Sequence, residues 1–187
     1  MARSRRKARE AALQALYKIE IAKSPIATAV EEMREHSELD AGLADYAERL
    51  VTSIRNGQAA LDRQLASIIL DYDYDRVAVV DKNVLRIAAY ELLHEPAIPP
   101  AVTINEAIEI SRKFSTFESG KFVNGVLGKL LEGSPKAKWD PSTAPPEETE
   151  EIVHDQEPIE VVEETIQADS DEAKKLSRIG GWKLRNE

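Results

Sequence analysis

Apolar residues recur every three or four positions through the first 131 residues, and this spacing constrains the fold more than any other feature of the sequence. It matches the period of an α-helix, about 3.6 residues, and not the strict alternation of a half-buried strand. The first helical stretch shows the pattern clearly. Its apolar stripe consists of Ala8, Ala12, Ala15, Leu16 and Ile19. We therefore predict an all-helical domain over residues 1–131.

Proline, glycine and capping residues divide the N-terminal half of this domain into four predicted helices. The first runs over residues 4–22, and Ser24-Pro25 predicts the next start, with serine as the N-cap and proline at the first helical position. A third helix is predicted over 41–55, with Asn56-Gly57 as its stop, and a fourth over 61–69. Each of these boundaries is inferred only from the residue types next to it in the sequence.

The C-terminal half contains one irregular stretch and three further predicted helices. Residues 71–80, DYDYDRVAVV, alternate as a strand would, but a lone strand has no partner, so we predict a loop. Asp81 is the predicted N-cap of the next helix, whose dense apolar residues make it the predicted centre of the fold. Thr103 and Glu106 form a predicted capping box, and Ser119 is the predicted cap of the last helix.

Gly125 and Gly128 fall inside the last predicted helix, where glycine costs about 1 kcal/mol relative to alanine. Glycine within a regular element is typical of a place where another backbone approaches closely. We therefore expect a neighbouring element to pack against these two glycines.

The composition changes at residue 132. Residues 132–187 contain 15 acidic and 7 basic residues, so they carry −8 of the chain's net charge of −9. Such a segment, rich in proline as well, buries too little apolar surface to offset its ordering entropy. We predict a helical domain over residues 1–131 and a disordered acidic tail over 132–187. Either the tail competes with a nucleic acid for the basic N-terminus, or it is only a solubilising tail.

No pattern in the sequence supports catalysis or a metal site. The chain has no cysteine and three widely separated histidines, which argues against a zinc site or a hydrolase triad. Alternate aspartates from Asp71 resemble the start of a calcium loop, but Arg76 and Lys82 occupy its glycine and glutamate positions. We expect no cofactor, no metal and no enzymatic activity.

The sequence also lacks the signals of a membrane or secreted protein. No apolar run approaches the roughly 18 residues that span a bilayer. The basic N-terminus is not followed by the apolar stretch of a secretory signal. Together with the absence of cysteine, these features favour a soluble, cytoplasmic protein.

The first helix carries a cluster of basic residues in an otherwise acidic chain. Residues 2–11 read ARSRRKAREA. Steps of about 100° per residue place Glu10, Leu13 and Tyr17 within about 40° of Arg6, with Arg9 about 60° away. Arginine binds phosphate through paired donors and tyrosine stacks on unpaired bases, so this face suits a nucleic acid. The alternative is a solubilising N-terminus with Tyr17 in the core.

Three stretches resemble one known family in residue type, order and spacing. They are SRRKAREAALQALYKIE at 4–20, VVDKNVLRIAAYEL at 79–92 and TINEAIEISRKFSTFESGKFVNGVLGKL at 103–130. The last is the most specific. Together they identify residues 3–131 as similar to the NusB family of bacterial transcription antitermination factors. The resemblance says nothing about the tail, which extends beyond the common family length.

The resemblance implies an all-α, NusB-like fold of about seven helices in two packed bundles, without a catalytic residue or cofactor. It implies binding to the boxA element of ribosomal RNA leaders together with NusE, a ribosomal protein of the small subunit. Other Nus factors and RNA polymerase complete the family's antitermination complex, and some members form homodimers. The implied outcome is processive transcription of ribosomal RNA operons.

The resemblance also implies residues that contact RNA in the first helix. The family's arginine-rich start places these contacts on Arg5, Arg6 and Arg9, and Tyr17 stands at the family's tyrosine position. Substitution of Arg6 or Arg9 by alanine is then expected to weaken RNA binding without unfolding the protein.

A second set of implied residues comes from the later stretches. The segment ESGKF adds Glu118, Lys121 and Phe122 to the implied RNA surface. Glu118 is expected to lower the affinity as an acidic neighbour, and Phe122 fits the core equally well. Asp81 matches an acidic position on the surface that faces NusE, beside its predicted role as an N-cap. The acidic loop 71–80 departs from the family, which puts any RNA contact there in doubt.

Two other interpretations remain open at this point. A NusB-like domain stands at the front of ribosomal RNA cytosine methyltransferases, but no Gly-rich cofactor loop follows residue 131 and the chain is short for such an enzyme. The other interpretation is a helical adaptor whose basic helix binds an acidic protein. A titration with boxA RNA, with and without NusE, distinguishes these alternatives.

Overall fold

The structure of the protein is a computed structural model, which describes residues 2–69, 73–140 and 142. Six α-helices make up most of this range. They are α1 (Ala2–Ile21), α2 (Ile26–His36), α3 (Ala41–Ile68), α4 (Val79–His94), α5 (Pro100–Phe114) and α6 (Phe117–Glu132). A single 3-10 turn, Tyr74–Arg76, precedes α4, and the described residues contain no strand. The predicted all-helical fold is confirmed.

The helices pack in two groups around a shared core. α1, α2 and α3 contact one another, and so do α4, α5 and α6. α4 also contacts α1 and α3, so it joins the two groups. Ten of its 16 residues are buried, and four of these ten are polar or charged side chains, namely Asp81, Asn83, Arg86 and Glu91. The prediction that this helix lies at the centre is confirmed.

α3 is one helix of 28 residues where the sequence predicted two. It passes through Asn56-Gly57 without a break, and its buried stripe continues in register from Ile54 to Leu61 and Leu65. Burial of a leucine stabilises by about 1.5–3 kcal/mol, which exceeds the cost of roughly 1 kcal/mol for a glycine inside a helix. Tertiary packing therefore overrides the predicted stop.

The helices α4, α5 and α6 begin before their predicted caps. The N-cap of α6 is Thr116, whose side chain accepts from the backbone N–H of Ser119 at 3.1 Å. Asp81, Thr103 and Ser119 lie inside the first turns instead. Thr103 donates to a carboxylate on α4, and Ser119 donates to Asp81. The predicted N-caps at Asp81 and Ser119 and the Thr103–Glu106 capping box are therefore wrong, because these polar groups make contacts between helices.

Gly125 and Gly128 lie on the open side of α6. A Cβ atom added at either position would meet no described atom within 4 Å. The expected approach of a neighbouring element is therefore wrong within the described part of the chain. Gly120 differs, because an added Cβ would lie 3.0 Å from Arg112 Nε and 3.1 Å from its Cγ. The close approach in α6 thus occurs at a glycine that the sequence pattern did not single out.

A cluster of charged side chains holds the 3-10 turn against the helices. The Tyr74 hydroxyl donates to Asp62 Oδ1 at 2.7 Å, and Arg86 donates to both oxygens of Asp62 at 2.7 and 2.9 Å. Arg86 also donates to Glu20 at 2.7 Å. Burial alone would raise the pKa of Asp62, but the hydrogen bonds from Arg86 and Tyr74 lower it. The 3-10 turn is therefore fixed to α3 through Tyr74, and Arg86 of α4 joins the same cluster to α1.

The chain continues to pack beyond the end of α6. Lys136 Nζ donates to the carbonyl of Ile98 at 2.5 Å, and the indole N–H of Trp139 donates to the carbonyl of Pro96 at 3.2 Å. These bonds fasten residues 133–140 to the turn between α4 and α5. Residues 133–140 thus pack beyond the boundary predicted between residues 131 and 132, and the boundary itself stays a prediction. The disorder predicted for the rest of the tail concerns residues outside the described part, apart from residue 142.

Candidate nucleic-acid interface

Arg9 lies in the interior of the fold, although it belongs to the basic cluster. Its side chain is 2% exposed, and its Nε lies 2.7 Å from Glu91 Oε1. Glu91 also accepts hydrogen bonds from the hydroxyls of Tyr46 and Thr103. Burial alone would raise the pKa of Glu91, but the Arg9 charge and these hydrogen bonds lower it. In this structure Arg9 therefore has no exposed group that could contact RNA, and its implied role as a direct RNA contact stays a prediction.

Arg6 and Arg5 are partly exposed, and they face different neighbours. Arg6 donates two hydrogen bonds to Glu106 of α5, at 2.8 and 2.6 Å, and its side chain is 30% exposed. The Arg5 guanidinium lies 5.8 Å from the ring centroid of Tyr46, on the side of α3. The exposed part of the Arg6 guanidinium is thus accessible to a phosphate beside its carboxylate partner. Arg5 contributes its charge from beside α3.

A second ion pair continues the junction of α1 and α5. Lys113 Nζ lies 2.7 Å from Glu10 Oε2. Glu10 is one turn beyond Arg6 on α1, and Lys113 is two turns beyond Glu106 on α5, so the two helices run in the same direction. Tyr17 lies two further turns along the same face of α1 and is 43% exposed. It is therefore a surface residue of α1, two turns beyond the ion pair of Glu10 and Lys113.

The start of α6 carries the other residues that the resemblance implied. The side chains of Glu118 and Lys121 are 77% and 69% exposed, and Lys121 Nζ lies 3.6 Å from Glu118 Oε2. Phe122 is partly buried and packs against the core. Glu118 and Lys121 are thus available to a ligand, whereas Phe122 belongs largely to the packing of α6.

Sequence reasoning missed the exposed aromatic residue of this region. Phe117, the first residue of α6, is 64% exposed. Arg112 Cζ and Lys121 Nζ lie 5.3 and 5.7 Å from its ring centroid. Lys113 Nζ lies 5.1 Å from the ring centroid of the neighbouring Phe114. One signal was available, since Phe117 falls about 130° away from the centre of the buried stripe of α6.

Asp81 is buried between α4 and α6, with 7% of its surface exposed. Its Oδ2 accepts from the Ser119 hydroxyl at 2.9 Å, and its Oδ1 has no hydrogen-bond partner among the described residues. The Ser119 hydroxyl also lies 3.0 Å from that of Ser115 and 2.9 Å from that of Thr116. The implied place of Asp81 on the surface that faces NusE stays a prediction, and in this structure the residue is buried. Its carboxylate holds the starts of two helices together.

The exposed cations and rings of α1, α5 and α6 define a region that we call the α1–α6 surface. It consists of Arg6, Tyr17, Arg112, Lys113, Phe117, Glu118 and Lys121. Its cations can bind phosphate groups, and its rings can stack on flat bases. Within the described ranges, no group of three or more His, Asp or Glu side chains is arranged so that it could hold a metal ion. Among the helices of those ranges, none is long and apolar enough to cross a membrane.

Comparison with known proteins places the chain in one family. A family model described as the NusB family matches residues 6–132. The transcription antitermination protein NusB of Anaeromyxobacter dehalogenans strain 2CP-1 is 41% identical over 139 residues, which cover 74% of this chain and 97% of that protein. The protein of the same name from Methylacidiphilum infernorum is 39% identical, over 73% of this chain and 96% of its own length.

Solved structures share the fold as well. NusB of T. maritima matches with a TM-score of 0.65 and 35% identity, over 78% of this chain and 96% of its own. A crystal structure of the antitermination factors NusB and NusE in complex with double-stranded RNA matches with a TM-score of 0.65 and 25% identity, over 71% of this chain and 99% of the solved one. The chain therefore belongs to the NusB family of transcription antitermination proteins, which are not enzymes.

Proposed function

We propose that this protein binds the boxA element of nascent ribosomal RNA leaders together with NusE and so supports processive transcription of ribosomal RNA operons. The observation that carries the proposal is the α1–α6 surface, which combines exposed cations with the exposed rings of Tyr17 and Phe117. Such a surface suits single-stranded RNA, because cations bind its phosphates and rings stack on its unpaired bases. A similar solved structure contains NusB, NusE and RNA, which supports both partners.

The residues of this surface have different roles in the proposal. Arg6 and Lys121 bind phosphates, and Tyr17 stacks on a base. Glu118 lies 3.6 Å from Lys121 and weakens binding, because its charge repels phosphate. Phe122 contributes only the exposed part of its ring. Arg5 adds its positive charge from the side of α3.

Two implied residues act from the interior instead. Arg9 holds α1 against α4 through Glu91, so it orients the surface without touching RNA. Asp81 holds the start of α4 against the start of α6 through Ser119. We propose that Asp81 supports a NusE-facing surface at the start of α4 and does not itself contact NusE.

The wider assembly follows from the same proposal. Other Nus factors and RNA polymerase join the complex of RNA and NusE, in the cytoplasm, where transcription takes place. A homodimer that covered the α1–α6 surface would compete with RNA. We propose a helical RNA-binding domain that extends to about residue 140, where the described packing ends, followed by an acidic tail.

The comparisons favour an antitermination factor over the domain of a methyltransferase. The two curated relatives are matched over 97% and 96% of their own lengths. A domain that belonged to a larger enzyme would match long proteins over only a part of their length. The curated relatives are instead named as antitermination proteins.

A binding titration tests the proposal. Fluorescence anisotropy would follow a labelled boxA RNA, and a scrambled RNA of equal length, during addition of this protein with and without NusE. We expect tighter binding to boxA than to the scrambled RNA, and a further gain with NusE. Equal, weak binding to both RNAs in the presence of NusE would contradict the proposal. Binding to NusE without any RNA binding would favour the helical adaptor.

A further inference from the structure

Phe117 is more exposed than the other large apolar side chains with high exposure in the described chain. Its exposed fraction is 64%, against 53% for Ile21 and 43% for Tyr17. The ring lies at the first position of α6 and is absent from the core cluster. A single exposed ring is ordinary on a protein surface. Packing of the core, however, does not explain why charged side chains surround the Phe117 ring.

Two cations approach the Phe117 ring from two different helices. Arg112 of α5 has its Cζ 5.3 Å from the ring centroid, and Lys121 of α6 has its Nζ 5.7 Å from it. Each cation also has an acidic neighbour. Arg112 Nη1 lies 2.9 Å from Glu109 Oε1, and Lys121 Nζ lies 3.6 Å from Glu118 Oε2. The ring is thus part of a small cluster whose charges are already arranged around it.

Gly120 makes room for the arginine of this cluster. The Arg112 side chain crosses α6 at this residue, and a Cβ there would lie 3.0 Å from Nε and 3.1 Å from Cγ. A Cβ at position 120 would therefore require the Arg112 side chain to shift by a few tenths of an ångström. The absence of a side chain at Gly120 lets the guanidinium reach the Phe117 ring.

We infer that Phe117, with Arg112 and Lys121, forms a stacking site for one unpaired nucleobase of the bound RNA, an inference that rests on the proposed function. The base lies against the phenyl ring, and the highly exposed Lys121 side chain turns from the ring to an adjacent phosphate. Arg112 stays in place, because it is paired with Glu109 and its side chain lies against Gly120. Every base has a flat aromatic face, so the site contributes affinity and not sequence preference.

Three substitutions of Phe117 separate stacking from apolar bulk. Phe117→Ala removes the ring, Phe117→Leu keeps apolar volume without a flat face, and Phe117→Trp keeps the face. The probe is labelled boxA RNA with NusE present, titrated at several salt concentrations. We expect the first two variants to bind about tenfold more weakly, and the tryptophan variant to bind within about twofold of the unchanged protein. The dependence on salt should be the same in all, because no charge has changed.

A second measurement reports on the ring itself. RNA that carries 2-aminopurine at single positions of boxA loses fluorescence where that base stacks. We expect one position whose quenching by the unchanged protein disappears in Phe117→Leu. Thermal unfolding of each variant should match that of the unchanged protein, because the ring is absent from the core.

The outcomes distinguish this inference from the proposed function. If the unchanged protein binds boxA and the alanine and leucine variants bind equally well, the stacking site is wrong and the proposed function stands. The stacking site is also wrong if the leucine variant retains full affinity while only alanine loses it, since apolar bulk would then suffice. If the unchanged protein shows no preference for boxA with NusE, the proposed function fails and this inference fails with it.

Discussion

Arg9 of α1 and Glu91 of α4 form an ion pair inside the protein, with Nε and Oε1 2.7 Å apart and side chains 2% and 1% exposed. Glu91 accepts further hydrogen bonds from Tyr46 of α3 and Thr103 of α5, so one carboxylate links four helices. Partners of this kind satisfy a buried charge that would otherwise be very costly. The pair therefore acts as a structural link, although Arg9 belongs to the basic cluster for which RNA contacts are predicted from the sequence.

Removal of either partner is expected to destabilise the fold. Arg9→Ala leaves the Glu91 carboxylate buried without its cation, and we expect a loss of about 3–5 kcal/mol in the free energy of unfolding, measured with urea. Glu91→Ala should cost a similar amount. The double variant Arg9→Met with Glu91→Leu should regain most of the loss, because it buries no charge. Normal stability of Arg9→Ala together with weak RNA binding would contradict this and restore Arg9 to the interface.

The buried amine of Lys136 should make stability depend on pH in the alkaline range. Burial lowers the pKa of Lys136 to about 8, whereas a lysine in the unfolded chain titrates near 10.4. Between these values the unfolded chain binds more protons, so the free energy of unfolding rises as pH increases from about 8 to about 10.5. Relative to Lys136→Met, we expect a gain on the order of 2 kcal/mol across this range. Urea unfolding at several pH values measures it, and parallel profiles for the two proteins would refute it.

Gly125→Ala and Gly128→Ala should each stabilise the isolated protein. An added methyl group meets no described atom within 4 Å at either position, and alanine is favoured over glycine inside a helix by about 1 kcal/mol. Gly120→Ala is the matched control, which should gain less stability because its Cβ would lie 3.0 Å from Arg112 Nε and this side chain would have to shift by a few tenths of an ångström. Thermal unfolding compares the three variants. Destabilisation by alanine at 125 or 128 would indicate a contact that the described residues do not provide.

The RNA affinity should depend only weakly on salt. The exposed cations of the α1–α6 surface neutralise about three or four phosphates, which predicts a slope of log affinity against log salt on the order of −2 to −3. Lys121→Gln should make this slope shallower by roughly 0.7–1. Arg34→Gln serves as a control, because Arg34 lies on α2 and pairs with Asp45 and Glu48 of α3. An unchanged slope in Lys121→Gln would place the phosphate contacts elsewhere.

Deletion of residues 143–187 decides between the two roles considered for the tail. We expect boxA affinity in the presence of NusE to be the same with and without these residues, at low and at moderate salt, as for a solubilising tail. The deletion keeps residues 133–140, whose bonds to Pro96 and Ile98 belong to the folded part. Tighter binding of the shortened protein at low salt, lost as salt increases, would show that the acidic segment competes with RNA.

The helices that could be predicted are those with an unbroken apolar stripe. The stripe of α1 and the apolar density of α4 were sufficient to place both helices and the core between them. Local signals failed where distant packing decided the outcome. α3 continues through Asn56-Gly57 because Leu61 and Leu65 are buried. The N-cap of α2 is Pro25 and not Ser24, which shows that boundaries inferred from capping residues can shift by one position.

The site was predictable in part, for the same reason. Tyr17, Glu118 and Lys121 are exposed as implied, since polar or bordering positions on a helix remain in water. The burial of Arg9 depends on Glu91, 82 residues away, and no local pattern shows that pairing. Phe117 was missed because an apolar stripe predicts only the buried side of a helix, and Phe117 lies outside the stripe of α6.

The link between Arg9 and Glu91 also affects the order in which a growing chain can complete itself. During synthesis α1 leaves the ribosome first, and its Arg9 has no carboxylate partner until Glu91 follows, with Thr103 and Glu106 later still. The N-terminal helix therefore reaches its final environment only when α4 and α5 pack against it, because the carboxylates that pair with Arg9 lie at least 82 residues further along the chain.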